Sequence, residues 1–309
     1  MQPRIVSLIP SATEIVHALG FGDRQLGRSH ECDYPESVLS LPVCTAPKFS
    51  PSGNSREIDQ DVRDTLREAL SVYDVFHPVL EQLQPSHIIT QSQCEVCAVN
   101  LKDVEVAVGE LVSSDPQLVS LEAHSWPDVL GDIACVAEAL EVQSKGRELI
   151  QQLEQRMEGI TDRASAARER PRVACLEWLE PLMAAGNWVP ELVQRAGGEN
   201  LLGEAGEHSG CISWEELLES DPEILVLMPC GLDMKRTREE MYWLTDRARW
   251  KTLKAVQNGR VYLTDGNHYI NRPGPRLVES LEILGEIIHP DLFAPSFKER
   301  AWQEAGGPG

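Results

Sequence analysis

The sequence predicts an α/β fold of two lobes, each with a mainly parallel sheet, joined by one long helix, with a ligand cleft between the lobes. Three observations carry that expectation. Short apolar runs alternate with helix-patterned stretches in both halves of the chain, the order expected of βα units and a parallel sheet. A helical pattern over 124–168 separates the halves, with no loose Gly/Ser linker. The loops after the apolar runs gather aromatic rings and soft ligands, at the strand ends where open α/β sheets bind ligands.

In the first half, Ile5-Val6-Ser7-Leu8-Ile9 reads as a buried strand. Ser11 or Thr13 can then cap a helix over Glu14–Leu19 that ends at Gly20. A short strand near Gln25–Gly27 leads into SHECDYP (29–35), and residues 58–83 carry a helical pattern. Ser86–Thr90 is a strand entering QSQCEVC (91–97), followed by a helix through 101–112 and the strand Leu118–Leu121. In the linking region Leu149, Ile150, Leu153, Met157 and Ile160 keep a helical period, with Glu, Arg and Gln opposite.

The second half opens with the strand Arg172–Leu176 and a helix over Val189–Ala196 that stops at Gly197-Gly198. Ile224–Met228 and Val261–Thr264 are strands, and a closing helix over Arg276–Ile288 ends before Pro290. The last residues, ending AGGPG, read as a frayed tail. The expected division is an N-terminal lobe over 1–123, a connecting helical region over 124–170, a C-terminal lobe over 171–295 and a tail over 296–309.

Composition narrows the functional classes. A chain of 309 residues with 42% hydrophobic and 25% charged residues is ordinary globular material. A formal net charge of −21 argues against nucleic-acid partners, which need a basic stripe, and equally against anionic membranes. The opening MQPRIVSLIPSATEIV is too short and too interrupted for a signal segment, and no apolar run of about 18 residues follows. The expectation is therefore a cytoplasmic monomer whose 8 cysteines are thiols or ligands rather than disulfides.

The loops after the strands are PSATE (10–14), SHECDYP, QSQCEVC, EWLEPLMAAGNWVP (177–190), PCGLD (229–233) and DGNHYINRPG (265–274). His30 and Cys32, two apart, face one side of an extended loop. Cys94 and Cys97 form a CxxC that reads as half a zinc or iron site, a redox pair or plain packing. Trp178 and Trp188 flank Ala184-Ala185-Gly186, small residues that let a flat ligand approach the backbone while indoles stack on it. Cys230, His268, Tyr269 and Arg272 complete the set, offering a thiol, an imidazole and groups for propionate or propionamide edges. The zinc-deaminase pattern, H-x-E with P-C-x-x-C, is not met.

The order RIVSLIPSATEIVHALGFGDRQLGRSHECDYP, LEQLQPSHIIT, GRVYLTDG resembles the vitamin B12-binding members of the rigid-helix (class III) periplasmic-binding-protein class, over about residues 4–290. These are solute-binding components of B12 and iron-siderophore import systems. HECDYP, QCEVCAV, GNWVPELVQRAGG and NRPGPRLVESLEIL further resemble a leaderless subgroup labelled cobalamin-binding. The resemblance implies lobes that move little about the long helix, with a small-molecule ligand between them, here cobalamin or another corrinoid or tetrapyrrole. The ligand contacts expected are Ser11, His30, Glu31, Cys32, Cys94, Cys97, Trp178, Trp188, Cys230, His268, Tyr269 and Arg272. Two alternatives stand beside this non-catalytic binding protein. One is a zinc or iron protein or metalloenzyme using His30, Cys32, Cys94 and Cys97. The other is the substrate-binding subunit of a B12 or iron-siderophore ABC importer, with a permease as partner if the chain is exported.

Overall fold

The computed structural model describes residues 2–68, 72–93, 104–105 and 114–306. The N-terminal lobe is built on β1 (Ile5–Ser7), β2 (Gln25–Arg28), β5 (His87–Gln91) and β6 (Gln117–Leu121), all parallel in the order β2-β1-β5-β6. A separate antiparallel ribbon pairs β3 (Thr45–Pro47) with β4 (Tyr73–Val75). Ile5, Val6, Leu8, Ile88 and Ile89 are fully or almost fully buried, as both faces of a parallel sheet require. Each such side chain contributes roughly 1.5–3 kcal/mol of transfer free energy.

Local chemistry sets most helix ends. Helix α1 (Pro10–Ala18) starts at Pro10, whose missing N–H costs nothing in a first turn. Ser11 and Thr13 therefore sit inside the first turn rather than capping it, a correction to the sequence expectation. Gly20, at φ +81°, turns the chain out after it. The helical pattern over 58–83 is also corrected. It resolves into α2 (Ser55–Glu68), β4 and α3 (His77–Leu83), because Pro78 can open a helix but cannot continue one. Of the helix expected over 101–112, only residues 104–105 are described, and they are helical.

The connection runs from α4 (Trp126–Ala139), capped by Ser125 Oγ accepting from the Asp128 N–H and packed on the N-terminal lobe, into the one long helix, the 23-residue α5 (Gln143–Ser165), which reaches the C-terminal lobe. At 1.5 Å per residue α5 spans about 34 Å. Its buried stripe of Leu153, Met157, Ile160 and Ala164 joins a single apolar cluster running from Ile5 and Ile15 to Trp188 and Leu284. The core thus passes through the connection from lobe to lobe, which is a physical reason for a stiff joint.

The C-terminal lobe has a mixed sheet. Strands β7 (Arg172–Leu179), β11 (Ile224–Leu227) and β12 (Val261–Thr264) are its parallel centre, and β9 (Glu199–Asn200) pairs parallel with the start of β7. Strands β8 (Leu182–Ala184), β10 (Gly210–Cys211) and β13 (Trp302–Glu304) add antiparallel edges. The segment 177–190 is accordingly a hairpin and turn, not one open loop. Strand β13 also corrects the frayed tail. Trp302 is buried, and its Nε1–H donates to Glu286 Oε2 at 2.6 Å, which pins 302–304 against β12. Among the described residues no helix is long and apolar enough to cross a membrane.

Candidate functional site

The C-terminal ends of the parallel strands of both lobes converge on one cleft of about 810 Å³, including its open mouth. The N-terminal lobe contributes Ile9–Ser11 after β1, Glu31 after β2, and Gln91 and Gln93 at the end of β5. From the other lobe come Glu177 on β7, Gly186–Val189 after β8, His208, Cys230 and Gly231 after β11, and Gly266, Asn267 and Asn271–Pro273 after β12.

Of the residues expected from sequence, Ser11, Glu31, Trp188, Cys230 and Arg272 line this cleft. Ser11 Oγ is buried without a hydrogen-bond partner among the described residues. Trp188 is held by its Nε1–H, which donates to the Ile270 carbonyl at 2.8 Å. Burial raises the Glu31 carboxyl to about 7, with Arg272 pulling it down and Asp33 pushing it up.

The other described candidates point elsewhere, each for a visible reason. His30 turns into its own lobe, with Nδ1 2.8 Å from Thr45 Oγ1 and its ring 5.5 Å from that of Tyr73. Burial, with Arg28 nearby, lowers its pKa to about 4, so the imidazole is neutral. Cys32 is fully buried, its Sγ 3.1 Å from Thr13 Oγ1 and 3.2 Å from Ser29 Oγ, and burial raises its thiol pKa. Cys94 and Cys97 lie outside the described residues. No group of three or more metal-ligating side chains forms among the described residues. Glu31 of SHECDYP and Gln91 and Gln93 of QSQCEVC line the same cleft, although β1 lies between β2 and β5.

Trp178, His268 and Tyr269 belong to two clasps between the lobes. In the first, Arg272 donates from Nη1 and Nη2 to both oxygens of Asp33, at 2.6 and 3.0 Å. His268 bridges Asp265 (2.7 Å) and Asp33 (3.3 Å). Beside them Arg276 stacks between Tyr34 and Tyr269, 4.0 and 4.4 Å from the ring centroids, and donates to Glu14 Oε1 at 3.5 Å. Burial raises Glu14 to about 7 against the pull of Arg276 and Arg272. Burial opposes ionisation of Asp33 as well, but hydrogen bonds from His268 and Arg272 and their charges hold it well below the usual carboxylate range.

His268 makes this clasp pH-dependent. Its hydrogen bond to Asp265, then that to Asp33, raises its pKa from 6.5 to about 9. The stability it adds is full below the unfolded value of 6.5 and is lost as pH rises through about 9. The thermal midpoint of the wild-type protein is expected to fall between those limits, and His268→Asn is expected to flatten that part of the profile. Equal slopes in the two proteins would remove His268 as the cause.

The second clasp lies on the other side. Glu240 Oε2 accepts from the Ser55 N–H at 2.7 Å and from Ser55 Oγ, capping α2 from the opposite lobe. Glu240 Oε1 accepts from Arg236 Nε at 3.0 Å, while Arg236 also donates to the Gly53 carbonyl. The Trp178 Nε1–H donates to the Ser55 carbonyl at 3.2 Å, so this ring serves the lobe contact rather than the cleft. Glu240→Gln keeps the shape and removes the charge, and about 2 kcal/mol of stability in urea denaturation is the expected loss.

Several cleft residues escape the sequence reading. Gln91, Gln93, Asn187, Asn267 and Asn271 give the wall an amide character, and no composition signal marks them out. Gly186 is small for a different reason from the one expected. A Cβ there would meet the Glu207 carbonyl oxygen at 2.4 Å, so the missing side chain makes room for the 207–209 backbone rather than for a ligand.

A family model described as periplasmic binding protein matches residues 79–267. An uncharacterized ABC transporter substrate-binding lipoprotein of Bacillus subtilis is 24% identical over 94% of this chain and 81% of its own length. A vitamin B12-binding protein of Vibrio cholerae is 24% identical over 90% of this chain and 86% of its own. Among solved structures, the periplasmic heme-binding protein RhuT of Roseiflexus sp. RS-1 superposes with a TM-score of 0.69 at 21% identity, over 94% of this chain and 99% of its own, which shows the shared fold. These matches correct the expectation of a cytoplasmic protein, because the matched family is periplasmic and one relative is a lipoprotein.

Proposed function

The chain belongs to the periplasmic binding protein family, and from that premise we propose that it binds cobalamin or a related corrinoid in the interlobe cleft, as the substrate-binding component of an ABC importer. One observation carries the ligand class. The cleft is walled by both lobes, and five of its side chains are neutral amides: Gln91, Gln93, Asn187, Asn267 and Asn271. A corrin ring is fringed by carboxamides, and amide side chains both donate to and accept from such groups. The vitamin B12-binding relative from Vibrio cholerae supports the same reading. The protein acts in this reading by binding alone, and a membrane permease is the partner that receives the ligand.

Calorimetry and the visible spectrum of cobalamin test the assignment. A saturable one-to-one titration is expected at micromolar concentration. No binding of cobalamin, cobinamide or haem in that range would sink it.

A further inference from the structure

We propose, resting on the corrinoid reading above, that Asn267 and Asn271 form a donor–acceptor pair of fixed polarity that holds one carboxamide of the ligand's edge. Asn267 turns only its N–H groups to the ligand and takes the carbonyl oxygen. Asn271 turns only its oxygen and takes the N–H. Arg272 is the positioning residue that sets the direction of the first.

An amide side chain is ordinarily ambiguous, because a half-turn exchanges its oxygen with its NH2 group. Neither of these two has that freedom. Asn267 Oδ1 accepts from Arg272 Nη2 at 3.2 Å, and a guanidinium has donors only, so the oxygen must face Arg272. Arg272 cannot swing away, since both oxygens of Asp33 hold it at 2.6 and 3.0 Å and its side chain is buried. Asn267 Nδ2 makes no hydrogen bond among the described residues and keeps its hydrogens for the cleft that Asn267 lines. Asn271 is turned the other way. Its Nδ2 donates to the Met228 carbonyl at 3.0 Å and to the Gly266 carbonyl at 2.9 Å, spending both hydrogens on partners that can only accept. Its Oδ1 is the group that remains.

The two groups belong to one short stretch of chain after β12. Gly266, whose carbonyl holds Asn271, directly precedes Asn267, and both asparagines line the cleft. The backbone there is pinned in its turn. Asp265 Oδ1 accepts from the N–H groups of Asn267 and His268 at 3.0 and 2.8 Å, and the Gly266 N–H donates to the Leu232 carbonyl at 3.0 Å. A donor and an acceptor held on one loop match a carboxamide, which offers a carbonyl oxygen and an N–H together. Preset polarity favours binding because neither side chain has to be ordered when the ligand arrives. A ligand group with the wrong atom in either place leaves one asparagine unpaired, and that loss gives specificity.

Asn267→Asp is the decisive variant, because its carboxylate keeps an oxygen for Arg272 and replaces the outward NH2 by a second oxygen. It is expected to melt no lower than wild type and to bind dicyanocobinamide, a corrinoid with its carboxamide edge intact, about tenfold or more weakly by calorimetry. A purely structural role for Asn267 would not weaken binding while stability is kept. In the crystal structure of the wild-type complex, one ligand carboxamide is expected to bridge Asn267 Nδ2 and Asn271 Oδ1. Affinity of the variant within about twofold of wild type, or a complex in which no carboxamide bridges the pair, would overturn the proposal while leaving corrinoid binding intact. Failure of both dicyanocobinamide and cobalamin to bind wild type defeats the underlying reading instead. If Asn267→Asp does not melt cooperatively, Asn267→Leu, which has a similar outline and no donor, is read in its place with the same expected loss.

Discussion

Replacing Asp33 with alanine is expected to lower the unfolding free energy by about 3 kcal/mol, because it strands a buried guanidinium. Arg272 is almost fully buried and gives two of its hydrogen bonds to Asp33, and His268 gives a third. Glu14 cannot take over, since it lies 3.9 Å from Arg272 and is already engaged by Arg276 at 3.5 Å. The Asp33 carboxylate is held far below its ordinary value of 3.8, so the stability it adds is complete above that pH and is lost as pH falls through the depressed pKa. The deficit of the alanine variant is therefore largest near neutrality and shrinks in acid. Urea denaturation at pH 7 and pH 3 measures both points. A loss below about 1 kcal/mol at pH 7 would reduce the clasp to an ordinary surface ion pair. Because the clasp borders the cleft through Arg272, cobalamin titration of the same variant is expected to show weaker binding.

Gly266→Ala is expected to cost about 3 kcal/mol and to weaken ligand binding with it, by forcing apart the backbone that forms the cleft floor. A Cβ at this position would lie 2.1 Å from the Pro229 carbonyl oxygen and 2.9 Å from the Met228 carbonyl carbon. Both neighbours are main chain and cannot rotate aside. The same contact is fastened by the Gly266 N–H donating to the Leu232 carbonyl at 3.0 Å. Asn271 Nδ2 tightens it further by donating to the Met228 and Gly266 carbonyls at 3.0 and 2.9 Å. Thermal melting and cobalamin titration report the two effects separately. A variant with unchanged stability and affinity would show that this backbone junction yields freely.

The segments that form the cleft were legible because each follows an apolar run, and parallel strands in an α/β lobe deliver their C-terminal loops to one edge. PSATE, SHECDYP, PCGLD and DGNHYINRPG all reach it through at least one residue. Which side chains face the cleft was not legible. In SHECDYP, Glu31 faces it while its neighbours His30 and Cys32 turn into the lobe to meet Thr45 and Thr13, partners 15 and 19 positions away. In DGNHYINRPG, Asn267 and Asn271 take the cleft, while His268 bonds to Asp33. No spacing rule encodes that partition, because it depends on partners distant in sequence: Thr45 and Thr13 of the same lobe for His30 and Cys32, and Asp33 of the other lobe for His268.

The frayed tail and the long 58–83 helix failed for related reasons. Trp302 has strand character only because β12 offers an edge and Glu286 a carboxylate for its indole N–H. The break before α3 follows from Pro78, a local signal, but the strand β4 exists only by pairing with β3. Localisation failed for another reason, since a short interrupted N-terminal segment does not determine the compartment.

By itself, the sequence determined what short-range physics can carry: the order of the main parallel strands, the apolar stripe that makes α5 a spine, and the loops that gather at strand ends. The tertiary structure alone decided the pairing of Arg272 with Asp33 and of Glu240 with Ser55, and hence which charges face the ligand. Those partners stand 239 and 185 positions apart. Hydrophobic periodicity repeats every two or about 3.6 residues and is written locally. The choice of a buried charge's partner is not, because it is settled by the desolvation it must offset once the two lobes close on each other.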